Sequence, residues 1–290
     1  MSEIDLKKRL LDHTWQRPSI RWVKQLRQPA KETPVWPKLT SDGGVICPAA
    51  VVMMDVLGMK ALLRSHTLEA IHTRVMKPLL DSDDRANSSV DENNTDEAVE
   101  AFLALGYEPM LGAVSAAISD TVLIAVPIDW YEMDDSRAGY EAVVEAGRAF
   151  ARAIEFSGAG GIWFRGAIAF GECLFSTRGS LIMLGDPVRE AFDWEKGQDW
   201  IGGMLAPSAA AALGDPGSAP WFVEYEVPLK PNAIRPQDRT IAIDWTYGRT
   251  AEREIPIPRP PSSANADVRR KFSNTLEFVQ AMEKRWRGAG

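Results

Sequence analysis

The chain has 290 residues, of which 45% are hydrophobic and 25% charged, and its net charge is −7. Such a composition fits a globular protein with ample apolar material for a core, in one or two domains, while the negative mean field argues against nucleic-acid binding as its role. Cys47 and Cys173 carry no metal-ligand spacing, and His66 and His72 stand six positions apart with no HExxH pattern, so zinc chemistry has no support. No apolar stretch approaches the ~20 residues that span a bilayer, and no basic-then-apolar leader opens the chain, so the expected location is cytoplasmic, with no membrane partner.

Residues 1–44 read as a basic arm. Over residues 1–40, nine lysines and arginines face four acids, with Trp15, Trp22 and Trp36 interleaved. The tryptophans suit an arm that packs on its own domain or on a neighbouring subunit. The main domain is expected over 45–250. Its first element, around residues 50–56, is a continuous apolar run, the pattern of a strand covered on both faces. A helical spacing follows from Lys60 to Leu80. Residues 81–97 hold seven acids, one arginine and no aromatic, which predicts a solvated loop. A short helix over 98–106 precedes a hairpin, LGAVSAAISDTVLIAVP, with Ser119-Asp120 at its tip.

A helix is expected over 137–157, then a strand in IWFRGAIAFGECLFS, a short strand in LIMLGD and a helix in PVREAFDWEKG with Pro187 in its first turn. WIGGMLAPSAAAALGD reads as strand then helix, and strands at 221–227 and 241–245 extend the sheet. Residues 251–290 read as a proline-rich linker and a C-terminal amphipathic helix over 266–287. The order predicts an α+β fold with a ferredoxin-like βαββαβ core and extra C-terminal strands and helix.

In that plan the first strand is central and lies beside the hairpin. Asp55, at the strand's end, and Asp120, at the hairpin tip, then face each other across one edge of the sheet. Two hard anionic oxygen donors suit Mg²⁺ or Mn²⁺ with a triphosphate. The turn through Val56, Leu57, Gly58 and Met59 leads straight into a helix whose free amides favour polyphosphate, with Lys60 as a helper. Metals and amides together answer the objection that a negative chain repels nucleotides.

The segments VVMMDVLGMKALL, ISDTVLIAV, FRGAIAFGE and GDPVREAFDWE resemble, over about residues 45–215, the catalytic domain of the class III nucleotide cyclases. The resemblance makes Asp55 and Asp120 carriers of two Mn²⁺ or Mg²⁺ ions, the backbone of Val56, Leu57, Gly58 and Met59 a phosphate loop, and the protein a homodimer with composite sites. Where that family reads V-N-x-A-x-R-x-E, this chain keeps Val188, Ala191 and Glu195 but places Arg189 at the asparagine and Asp193 at the arginine. The whole is more similar to the bacterial pyrimidine cyclases of Pycsar anti-phage signalling. That similarity implies UTP as substrate and 3′,5′-cyclic UMP as product, with CTP and cyclic CMP as the alternative. Arg189 or Arg165 of a neighbouring subunit is then expected to stabilise transition-state charge.

Plainer readings stand beside these. Arg165 also suits a partner for a buried carboxylate. Asp193 and Glu195 read as helix-surface acids, and Trp194 and Trp200 as core or dimer anchors. A cation in a helix's first turn, as at Arg189, is disfavoured by roughly 0.3–1 kcal/mol, so an interface or phosphate contact is needed to explain it. The rival reading in a different class is a cyclase-like module that holds a nucleotide and regulates a partner without turnover. A diguanylate-type polymerase is weakened because no GGDEF-like run occurs.

Overall fold

The computed structural model describes residues 20–24, 38–40, 44–71, 73, 107–111, 114–128, 135–158, 161–176, 182–234, 236, 239–247, 258–260, 262 and 264–287. The expected loop over 81–97 and helix over 98–106 lie outside them, as do residues 74–80 of the expected first helix and most of the proline-rich linker.

The elements in chain order are β1 (Ile20–Lys24), β2 (Lys38–Leu39), β3 (Val45–Leu57), α1 (Met59–Ser65), α2 (Leu68–Ile71), β4 (Tyr107–Leu111), β5 (Val114–Ile118) and β6 (Thr121–Pro127). They continue with α3 (Asp135–Gly158), β7 (Trp163–Ser176), β8 (Ile182–Leu184), α4 (Asp186–Gly197), β9 (Gly202–Leu205), α5 (Pro207–Leu213), β10 (Phe222–Glu224), β11 (Ile241–Ile243) and α6 (Ala266–Arg287). The main sheet runs β10-β11-β9-β7-β3-β6-β5, and β1 pairs separately with β4. Within it, β7-β3-β6-β5 are antiparallel neighbours. That is the ferredoxin-like order, with β3 as first strand, β5 and β6 as the hairpin and β7 as fourth strand.

The lack of alternation in β3 has a direct cause. Its residues from Ala49 to Met54 are all buried because helices cover both faces of the sheet. A Cβ on Gly166 would meet the Phe150 ring of α3, whereas one on Gly171 would meet Pro187 at the start of α4. Even positions of β7 therefore look toward α3 and odd positions toward α4. Arg165, an odd position, belongs to the α4 face.

Two expectations change in detail. The first helix breaks after Ser65, where His66 adopts an extended conformation, and resumes over Leu68–Ile71. The strands expected at 221–227 and 241–245 shorten to three residues each. The C-terminal helix spans 266–287 as expected, but it is not an appendage. Phe278, Val279 and Met282 join the main core, and Phe278 packs edge-on against Trp200 and Tyr225. Trp194 and Trp200 are buried within this chain, so both are core residues. No helix among the described residues is long and apolar enough to cross a membrane.

Candidate active site

One row of residues crosses the sheet at one end: Thr121 of β6, Asp55 of β3, Arg165 of β7 and Gly202 of β9 are register partners in turn. Paired residues on neighbouring strands project to the same face, so Asp55 and Arg165 meet beneath α4. Arg165 Nη2 lies 3.3 Å from Asp55 Oδ2. Its Nε donates to Glu195 Oε1 at 2.6 Å and its Nη1 to the Gln198 carbonyl at 3.1 Å. Both Arg165 and Glu195 are buried, whereas the Asp55 side chain keeps about a quarter of its exposure.

Asp120 sits beside this row. The hairpin turns over Ser119, which has a φ of 60°, and the Asp120 carbonyl accepts a hydrogen bond from the Val56 amide at 2.8 Å. This bond ties the hairpin tip to the end of β3. Burial pushes the Asp55 carboxyl up from its ordinary range; Arg165 opposes the shift and the charge on Asp120 adds to it. Two carboxylates within electrostatic reach suit a divalent cation, which offsets both the burial of Asp55 and the repulsion between the pair. No cluster of three or more His, Cys, Asp or Glu suited to a metal occurs among the described residues. The donor set is thus two hard oxygens, which fits an ion that completes its shell with water and phosphate.

The remaining sequence-identified residues divide. Gly58 caps α1 with a φ of 84°, a left-handed conformation that favours glycine, and open space lies around its Cβ direction. The amides of Gly58, Met59 and Lys60 fall at the start of α1, where helix amides lack intrahelical partners. Val56 does not belong to that set, because its amide is already bonded to Asp120. Leu57 is the last residue of β3, the Met59 side chain is buried, and Lys60 is exposed. Arg189 is exposed in the first turn of α4, with Asp186 at 3.4 Å and Asp193 at 3.5 Å. Those two acids compensate its unfavourable place in the helix. The structure does not bring Arg189 to the Asp55 row of its own chain.

Glu195 corrects the surface reading. It lies on the buried stripe of α4 with Pro187, Ala191 and Trp194 and neutralises Arg165. The spacing of that stripe was the signal that placed it inside. Further charges come from elements that sequence reasoning left out of the site. Lys196 and Lys271 both act electrostatically on Asp55, and Lys230 acts on Glu195. Asp199 is buried and takes an ion pair from Arg270. Side-chain cations therefore offset part of the acidic charge at this end of the sheet.

No family model matches the chain, and no curated protein matches it. Solved structures do. The catalytic core of a rhodopsin-guanylyl cyclase with converted specificity, in complex with ATPαS, aligns over 69% of this chain and 97% of its own, at 12% identity and a TM-score of 0.42. The adenylyl cyclase CyaB from P. aeruginosa aligns over 69% and 95%, at 13% identity and a TM-score of 0.42. A bacterial light-regulated adenylyl cyclase aligns over 69% and 91%, at 13% identity and a TM-score of 0.41.

Proposed function

We propose that the protein is a pyrimidine nucleotide cyclase that converts UTP to 3′,5′-cyclic UMP and pyrophosphate, as a second messenger in anti-phage defence. The observation that carries the reading is the convergence of Asp55 and Asp120 at one end of the sheet, beside a glycine-capped helix start. The choice of pyrimidine, and of UTP over CTP, rests on the resemblance of the four sequence segments above.

In this reading Asp55 and Asp120 would hold Mn²⁺ or Mg²⁺, which when bound would supply a lowered pKa for the ribose 3′-hydroxyl and charge compensation for the triphosphate. Arg165 keeps the Asp55 carboxylate oriented through its contact with Oδ2, and Glu195 fixes Arg165 in turn. Arg165 is thus a positioning residue within its own subunit. The free amides of Gly58, Met59 and Lys60 receive the β- and γ-phosphates. The 3′-oxygen bonds to the α-phosphorus, its proton passes to water, the α–β bridging bond breaks, and pyrophosphate leaves. A homodimer with composite sites brings a partner's Arg189 to the developing charge, since that guanidinium is exposed.

A second reading, a nucleotide-binding regulatory module without turnover, draws support from the same guanidinium. Asp193, where the cyclase pattern has an arginine, pairs with Arg189 instead of leaving it free. Incubation with Mn²⁺ and each of ATP, GTP, CTP and UTP, with product separation and Asp120→Asn as control, tests both. Cyclic UMP, lost in the variant, is the expected outcome. Cyclic CMP selects the cytidylate alternative, and a purine product overturns the pyrimidine assignment. Nucleotide binding without any product selects the module.

A further inference from the structure

Five cations surround the Asp55–Glu195–Asp199 group, and four are engaged. Arg165 is held by Glu195, Asp55 and the Gln198 carbonyl. Arg270 is paired with Asp199 and Asp267. The Lys230 ammonium donates to the Lys196 carbonyl, and the Lys196 ammonium sits 3.9 Å above the Phe192 ring. Lys271 is different: among the described residues its ammonium makes no hydrogen bond, ion pair or ring contact.

Its place in α6 makes that notable. Thr275, Val279 and Met282 form the buried stripe of the helix, and Lys271 lies one turn before Thr275 on the same side. An apolar residue is expected there. The helix is pinned in this pose by three contacts to the segment that enters β9. Thr275 Oγ1 accepts from the Ile201 amide at 2.7 Å, Asn274 donates to the Asp199 carbonyl at 2.7 Å, and Arg270 pairs with Asp199. Ile201 precedes Gly202, the register partner of Arg165, so the pinned turn of α6 stands at the end of the Asp55 row. Lys271 is half-buried and within electrostatic reach of Arg165, Asp199 and Asp55. A desolvated ammonium without a paired anion among the described residues is costly unless a ligand anion completes it.

We propose that Lys271 binds the terminal phosphates of the nucleoside triphosphate taken by the Asp55–Asp120 site, so that the C-terminal helix completes the substrate pocket of its own subunit. The proposal rests on the reading of that site as one for a nucleoside triphosphate. Lysine serves phosphate as a compact point charge, and a phosphate ligand explains why a cation interrupts the buried stripe.

The test is calorimetric titration with Mn²⁺ and 3′-deoxy-UTP, which cannot cyclise, repeated with the 3′-deoxy forms of CTP, ATP and GTP, and with UMP. Lys271→Met keeps the stripe apolar and the fold intact; Lys271→Arg keeps the charge; Lys284→Gln, on the exposed side of the same helix, is the control. Lys271→Met is expected to weaken triphosphate binding about tenfold or more, the worth of one charge-assisted hydrogen bond. UMP binding and the Lys284→Gln variant should be unchanged, and Lys271→Arg should retain most of the affinity. Equal triphosphate binding by wild type and Lys271→Met overturns the proposal and leaves the site reading standing. In that case Lys271 serves only to balance Asp199, and the melting temperature alone responds. Failure of the wild type to bind any of the four triphosphates overturns the site reading and this proposal with it.

Discussion

Arg165 and Asp55 are register partners on β7 and β3, and their side chains meet at 3.3 Å on the face covered by α4. Arg165 thereby links the partly exposed Asp55 carboxylate at the candidate metal site to Glu195, a buried carboxylate. Removing the guanidinium strands Glu195 as a buried charge. Arg165→Met is expected to cost about 3–5 kcal/mol of stability. Adding Glu195→Gln should recover a large part of that loss, and a double-mutant cycle by chemical denaturation measures it. Additive losses would contradict the pairing.

Among the described residues Asp120 makes no hydrogen bond or ion pair through its side chain. Its carbonyl, not its carboxylate, holds the hairpin to Val56. Asp120→Asn should therefore leave the melting temperature in metal-free buffer within about 2 °C of wild type, as surface changes of this kind do. It should also abolish the rise in melting temperature that Mn²⁺ produces in the wild type. Thermal melts with and without Mn²⁺ separate the two effects.

The shift at Asp55 has a defined sign. Its carboxyl is raised by burial in the folded state, so the native protein holds that proton to higher pH than the unfolded chain does. The ionised carboxylate is a stability penalty above the folded value, and the penalty is relieved as pH falls through it. In metal-free buffer, Asp55→Asn should be at least as stable as wild type at neutral pH, with the difference shrinking toward acid. Mn²⁺ affinity of the wild type should fall with decreasing pH, beginning above the range of an ordinary aspartate. Denaturation and metal titrations across pH test both limbs.

Two glycines near the site differ in what forbids a side chain. At Gly166 an added Cβ would lie 2.6 Å from the Met53 carbonyl and 2.5 Å from the Phe150 ring. The carbonyl belongs to the sheet and cannot yield, so Gly166→Ala should cost about 1–3 kcal/mol. At Gly58 there is open space but a φ of 84°. Gly58→Ala should cost about 1 kcal/mol from the dihedral alone, and Gly58→Asn less. Equal losses for alanine and asparagine at position 58 would contradict this assignment.

How much of this was legible in the sequence follows from what each feature depends on. The central strand shows as a continuous apolar run, the hairpin as two β-rich arms around Ser119-Asp120, and the C-terminal helix as a helical spacing that ends where the helix ends. Asp55 and Asp120 could be brought together because the βαββαβ order fixes which strands are neighbours. The pairing of Arg165 with Glu195 depends instead on which face of β7 meets α4, which is a matter of register and layer order. Lys271 was less accessible still. It lies 216 positions from Asp55 (271 minus 55), and only the seating of Thr275 on Ile201 brings α6 to that end of the sheet. The break at His66 arises inside a continuous helical pattern, so periodicity alone gave no sign of it.

Cyclisation of a nucleoside triphosphate at the Asp55–Asp120 site is the reaction proposed above. The most direct measurement is the stoichiometry of products from UTP with Mn²⁺, followed by phosphorus NMR. Cyclic UMP and pyrophosphate in equal amounts are expected, with neither formed by Asp120→Asn. Release of orthophosphate and UDP, or cyclic UMP formation that persists in Asp120→Asn, would contradict it.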